Sequence, residues 1–231
     1  MIRLSPTSGL NLFTECPKCF WLHYNKKVHR PRGIFPSLPG GMDLVIKDYI
    51  DSYRPNKIPP ELKGQIGKAK LMPDRKLLDK WRNWRTGLEY VDKKMDATLF
   101  GALDDCLIEG DPSTSSGQGY YIPLDYKTRG FPLKEGDSQK YYQTQLDAYS
   151  LLLFENGYLV KDHAYLLYYY PKEVKKDGVV DFYTKVVKVD TDLKRAKKTF
   201  QDAVECLNSP IPEKHSECEY CSWLFDRLGF E

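Results

Sequence analysis

Histidine is scarce, with four in 231 residues, and no serine or cysteine stands in a pattern that pairs it with a base. Covalent catalysis therefore finds no support in the chain. No apolar run is long enough to cross a bilayer, which argues against a membrane partner. The first residues, "MIRLSPTSGL", lack the apolar core of a secretory signal, so a cytoplasmic location is expected. Six cysteines without an export signal are not expected to form a disulfide framework; metal binding or burial is the better reading. Internal repeats and a clear interdomain linker are also missing. One domain over 1–231 is expected, with cysteine-bearing ends (1–30 and 208–231), a helical basic region (31–94) and a core (95–207).

The charge that is present is unevenly placed. Residues 1–94 hold 19 Lys/Arg against 9 Asp/Glu, and the remainder 16 against 23. That asymmetry suggests a phosphate-binding face beside a carboxylate-lined site. Within the basic stretch, Trp81 and Trp84 alternate with Lys80, Arg82 and Arg85, a mixture suited to gripping a single nucleic-acid strand by charge and stacking.

Periodicity sets the elements. Ser5-Pro6 reads as a helix start, and that helix carries Leu10 and Phe13 on one face and stops near Cys16-Pro17. Residues 31–40 read as loop, 41–53 as a second helix and "KLLDKWRNW" as a third. Residues 97–110 and 119–128 read as two strands joined by a polar hairpin loop at 111–119. A helix follows over 138–156, then two strands over 163–171 and 181–189, and a last helix capped by Thr191 or Asp192. The order implies an α/β domain with a central mixed sheet flanked by helices.

Asp125 and Lys127 fall on one side of a strand, either as a surface ion pair or as a metal ligand with its matching cation. Asp104, in "GALDD", could approach Asp125 from an antiparallel neighbour. A divalent ion such as Mg²⁺ or Mn²⁺ would relieve the repulsion of the two carboxylates, with the Tyr126 backbone carbonyl as a further oxygen ligand. Asp105 should point the other way. Gln145 and Tyr149, four apart, share a face of the following helix. Cys106 and Cys206 read as buried thiols. His23 and His29 lie in a basic, aromatic run where they could touch nucleic acid.

The ordered set "GALDD", "LDYKT" and "QLDAY" resembles the PD-(D/E)xK nuclease superfamily, and more narrowly its RecB-like branch, which includes CRISPR-associated RecB-like exonucleases and AddB-type nuclease domains. The resemblance implies a restriction-endonuclease-like core and a Mg²⁺- or Mn²⁺-dependent DNase, an exonuclease on single-stranded DNA ends. Asp104, Asp125, Lys127, Gln145 and Tyr149 would be its catalytic residues. The alternative is a catalytically weak or inactive DNA-binding or assembly subunit of a DNA repair or CRISPR-adaptation complex, working beside a helicase or integrase partner. Where relatives carry a further His or Glu ligand, this chain has Asp43, with Asp48 and Asp51 as alternatives.

Cys16 and Cys19 form one C-x-x-C pair, and Cys218 and Cys221 another. Four thiolates complete a tetrahedral Zn²⁺ site or hold an iron–sulfur cluster that ties the chain ends together. The resemblance implies the cluster, but with one cysteine in front and three behind; the two-and-two split here leaves structural zinc as the rival.

Overall fold

A computed structural model describes the chain except for residues 32, 34–36, 111–118 and 229–231. The expected polar hairpin loop lies outside the described residues.

The chain opens with a short strand, β1 (Ile2–Leu4), and a π-helical turn over Pro6–Leu10 whose Ser5 hydroxyl accepts from the Ser8 amide at 3.3 Å. Helix α1 (Asn11–Glu15) stops at Cys16, which is extended, and Pro17 starts α2 (Pro17–Trp21). Helix α3 runs Ser37–Asp51, beginning four residues before the expected start. The 31–94 region is not wholly helical. It carries β2 (Lys70–Leu71), α4 (Arg75–Arg82), capped by the Asp74 carboxylate accepting from the Leu77 amide at 3.0 Å, and β3 (Leu88–Asp92).

The segment 97–110 is two strands, β4 (Ala97–Gly101) and β5 (Asp105–Gly110), not one. Between them the Leu103 amide donates to the Trp81 carbonyl at 3.1 Å, which lifts the chain out of the ladder. At Gly101 the backbone is pressed against the following helix: a Cβ there would sit 2.9 Å from Leu152 Cδ1. The break sends the two strands to different sheets. Strands β1 and β3 flank β4, parallel and antiparallel respectively. The second sheet has the order β2-β5-β6-β7-β8, with β6 (Gly119–Thr128), β7 (His163–Val174) and β8 (Val180–Asp190). Its β6–β7 pair is parallel and is crossed over by α5 (Asp137–Glu155). Helix α6 (Leu193–Asn208) is capped by Asp192, whose carboxylate accepts from the Lys194 amide at 2.7 Å, and α7 (Glu219–Leu228) ends the described chain. Instead of one central sheet, two mixed sheets form the α/β core.

Side-chain alternation decides what each face of β6 does. Ile122, Leu124 and Tyr126 pack with Ile46 and Ile50 of α3. The opposite face of the sheet meets α5, where Leu146 packs against Leu166 and Tyr168 of β7. Asp125 and Lys127 therefore project toward α5. A third cluster, with Leu4, Trp81, Leu99, Leu152 and Phe200, joins the small sheet to α5 and α6. Asp147, inside the "QLDAY" motif, locks α5 to the start of α6: the Arg195 guanidinium donates to it at 2.5 and 2.8 Å and the Asp192 amide at 2.9 Å.

Candidate active site and cysteine centre

In the antiparallel β5–β6 ladder Asp105 stands opposite Leu124. Directly opposite residues share a face, so Asp105 and Tyr126 lie together on the α3 side, and the Tyr126 hydroxyl donates to Asp105. One step back, Asp104 comes opposite Asp125 on the other side. Asp105 is thus excluded from the carboxylate pair, as its position in the strand requires.

Asp125 is buried, whereas the Asp104 side chain keeps 23% of its exposure and opens the site to the outside. Lys127 pairs with Asp125 and lies 4.7 Å from the centre of the Tyr142 ring. The Gln145 side-chain amide donates to Asp125 Oδ1 at 3.0 Å and to the Tyr149 hydroxyl at 2.9 Å, and Lys127 donates to Gln145 Oε1 at 3.5 Å. Asp104, Asp125, Lys127, Gln145 and Tyr149 are one connected constellation. Asp43 joins it through Lys47, whose ammonium lies 2.7 Å from Asp43 and 2.8 Å from Asp104. The sequence reading missed Lys47; its place one helical turn after Asp43 was the signal. Asp48 is exposed, and Asp51 belongs to a different network.

Burial and the neighbouring charges fix the electrostatics. Burial raises the Asp125 carboxyl to about 7, with Lys127 opposing and Asp104 reinforcing. Burial also opposes ionisation of Asp104, but Lys47 and Lys127 hold it below the ordinary carboxylate value. The two acids titrate as a pair in which Asp104, the less buried member, carries the charge first. Burial opposes the charge on Lys127 too, yet Asp125 and Asp104 keep its ammonium protonated beyond the usual lysine range. Tyr149, buried beside the same carboxylates, stays firmly protonated.

The oxygen donors suit a hard divalent cation. Asp125 Oδ2 is buried with the Lys127 ammonium as its charge partner and accepts no hydrogen bond of good geometry among the described residues. Lys47 bridges Asp43 and Asp104 as a cation would.

Beneath the site lies a buried ion network. The Arg82 guanidinium donates to both carboxylate oxygens of Asp51, at 2.6 and 3.1 Å, to Asp105 at 3.1 Å and to the Asp104 backbone carbonyl at 2.6 Å. Arg54 pairs with Asp105 and Arg75 with Asp51. Arg82 is therefore committed to internal partners and does not stand with the outward-facing basic residues. Trp81 is buried in the core against Tyr121 and Tyr158, so it cannot stack on a nucleic acid. Lys80 and Arg85 are exposed; Trp84 is 70% exposed, and the Arg85 guanidinium stacks 4.9 Å from its ring. His23 and His29 face each other, with Nδ1 atoms 2.9 Å apart. Cys106 is buried as expected; Cys206 is only half-buried.

The ends of the chain meet at the cysteines. The sulfurs of Cys16, Cys19, Cys218 and Cys221 all lie within 4.8 Å of one another, with Cys19–Cys221 at 3.5 Å, Cys19–Cys218 at 3.6 Å and Cys16–Cys221 at 3.9 Å. Burial disfavours the Cys218 thiolate, but the Cys221 amide and the neighbouring thiols lower it to about 7. The Arg30 guanidinium reaches Cys218 at 3.8 Å and adds positive charge beside the sulfurs. Four thiols this close form a ligand set for a metal.

Among the described residues, no helix is long and apolar enough to cross a membrane. A search of curated proteins finds no match to this chain. The family model of the PD-(D/E)XK nuclease superfamily matches residues 45–224, a span that holds Asp104, Asp125, Lys127, Gln145, Tyr149, Cys218 and Cys221 and leaves out Asp43, Cys16 and Cys19. With four-fifths of its length matched and the two strands and helix of that motif converging on one constellation, the chain belongs to the PD-(D/E)XK nuclease superfamily.

Proposed function

We propose that the protein is a metal-dependent DNA nuclease of the RecB-like kind that cleaves phosphodiester bonds near single-stranded ends. One observation carries the reading: Asp104, Asp125, Lys127 and Gln145 converge where β5, β6 and α5 meet, with Asp104 open to the outside. Asp104 and Asp125 are the proposed ligands of Mg²⁺ or Mn²⁺, with Asp43 and the Tyr126 carbonyl completing the set. A divalent ion bound there supplies Lewis acidity toward the phosphate and lowers the pKa of an attacking water. The chain's own groups do the positioning. Lys127 presents an ammonium to the charge that builds on the phosphoryl oxygens. Gln145 holds Asp125 and Tyr149 in fixed orientation, and Tyr142 backs the lysine. Lys80, Trp84 and Arg85 form the proposed outer grip on the strand. Arg82 belongs to the scaffold under Asp104.

For the cysteines, the sulfur spacing favours one metal ion. Four thiolates around a tetrahedral zinc, each at about 2.3 Å, stand about 3.8 Å apart; here three of the pairs stand at 3.5, 3.6 and 3.9 Å, and all four sulfurs lie within 4.8 Å of one another. In an iron–sulfur cluster the four thiolates are spread over two or four irons, so some of the sulfurs stand farther apart than on a single ion. Structural Zn²⁺ is the preferred occupant.

The test is degradation of end-labelled single-stranded DNA with Mg²⁺ or Mn²⁺ by wild type and Lys127→Ala. Cleavage that EDTA abolishes, and that falls at least a hundredfold in the variant, supports the reading. DNA binding without cleavage by the wild type would make the protein an assembly subunit, and neither binding nor cleavage would remove the function altogether.

A further inference from the structure

Beside the carboxylates lies a cavity of about 240 Å³, walled by the Ser5–Ser8 turn, Phe100, Gly101, Ala102, Tyr149 and Trp84. Its position relative to the chemistry is fixed by covalent and hydrogen-bonded links. Ala102 precedes Asp104 by two residues, and Tyr149 is tied through Gln145 to Asp125 by hydrogen bonds of 2.9 and 3.0 Å. At the floor the chain is close-packed: a Cβ on Gly101 would sit 2.9 Å from Leu152 Cδ1 and 3.4 Å from Pro6. Its exposed lining includes Thr7, Ser8 and the Trp84 indole.

We propose that this cavity, on the nuclease reading above, is the subsite for the unpaired base adjacent to the scissile phosphate, with Trp84 stacking on its face. The volume is below that of pockets that enclose a drug-sized ligand and suits one flat heterocycle rather than a base pair. Every base has a π-face, so an indole at the rim holds an unpaired nucleotide without reading its identity. Arg85, stacked on the same indole, places a guanidinium where the flanking phosphate passes. The cavity and Asp104 share the Gly101–Asp104 segment, so on this proposal the nucleotide in the cavity directs its phosphate toward the carboxylates. On this proposal single strands are preferred, because the volume accommodates one heterocycle and not a pair.

The experiment uses oligonucleotides carrying 2-aminopurine at successive positions from either end, bound to the full chain with Lys127→Ala and Mg²⁺ so that the strand is not consumed. Stacking in the cavity should quench one position several-fold more than its neighbours. Trp84→Ala in the same background should abolish that difference, and Trp84→Phe should restore much of it. In the Lys127-containing protein, Trp84→Ala should raise KM for single-stranded DNA about tenfold with kcat changed less than twofold. Uniform or absent quenching while anisotropy still reports binding would overturn the subsite and leave the nuclease reading intact. No binding by the variant together with no cleavage by wild type would overturn both.

Discussion

The Arg82 Nε–H donates to the backbone carbonyl of Asp104 at 2.6 Å, while the same guanidinium grips Asp51 and Asp105. One arginine on α4 thus sets the main-chain position of a proposed metal ligand it never touches by side chain. Arg82→Gln would leave Asp51 and Asp105 short of positive charge, and breaking such a buried arrangement costs about 3–5 kcal/mol. Urea unfolding should show that loss. At a concentration where the variant is still folded, its DNA affinity should match wild type, whereas Arg85→Ala should weaken affinity without loss of stability. Equal affinity losses in the two variants would return Arg82 to the nucleic-acid grip.

The buried carboxyl of Asp125 makes the metal-free protein pH-sensitive. Its folded value of about 7 lies above the unfolded value of about 3.9. The folded state therefore binds a proton that the unfolded state has released between those values. The resulting stabilisation is complete below pH of about 3.9 and is lost as pH rises through about 7. Asp125→Asn cannot ionise, so in EDTA it should melt several degrees above wild type at pH 8, with the gap closing toward pH 5; about 1 kcal/mol corresponds to about 2–4 °C at this size. Thermal melts at the two pH values decide it, and a gap that does not depend on pH would mean that Asp125 carries no burial cost.

Protein purified without added metal should be colourless and contain one zinc per chain by elemental analysis. Cys16→Ser and Cys221→Ser should each lose the metal and lower the melting temperature, and a strong chelator should do the same to wild type. Brown protein with iron and a broad visible band would replace zinc with a cluster. Unchanged stability in both variants would end the idea of a structural metal.

DNA affinity should fall steeply with salt, as counterions are released from each contacted phosphate. On a plot of log affinity against log salt for a single strand, Arg85→Ala should reduce the slope by roughly 0.7, the contribution of one phosphate contact. Fluorescence anisotropy across roughly 50–300 mM salt, where the screening length changes strongly, measures it. A slope that is the same with and without Arg85 would place the phosphates elsewhere.

The motif residues were legible because strand and helix periodicity place them: alternation along β6 sends Asp125 and Lys127 to one face, and a four-residue step pairs Gln145 with Tyr149. Strands β1 and β3 were not legible, since three to five residues are too few to show alternation. The buried ion network was hidden for another reason. Asp51, Arg54, Arg75, Arg82 and Asp105 are ordinary surface residues by type, and only the tertiary fold brings them to one spot. Trp81 was misread because a tryptophan among cations looks the same whether its ring turns outward or into the core; here it is core.

The cysteine centre also sets an order of events in synthesis. Cys16 and Cys19 emerge about two hundred residues before Cys218 and Cys221. At about 5–20 residues per second, that is roughly 10–40 s during which the leading pair has no mates. A metal would meet the full set of four thiols only after the trailing pair has left the ribosome. A chain that stops before Cys218 lacks two of the four thiols and cannot close this centre, so a metal held there would mark a chain that carries both pairs.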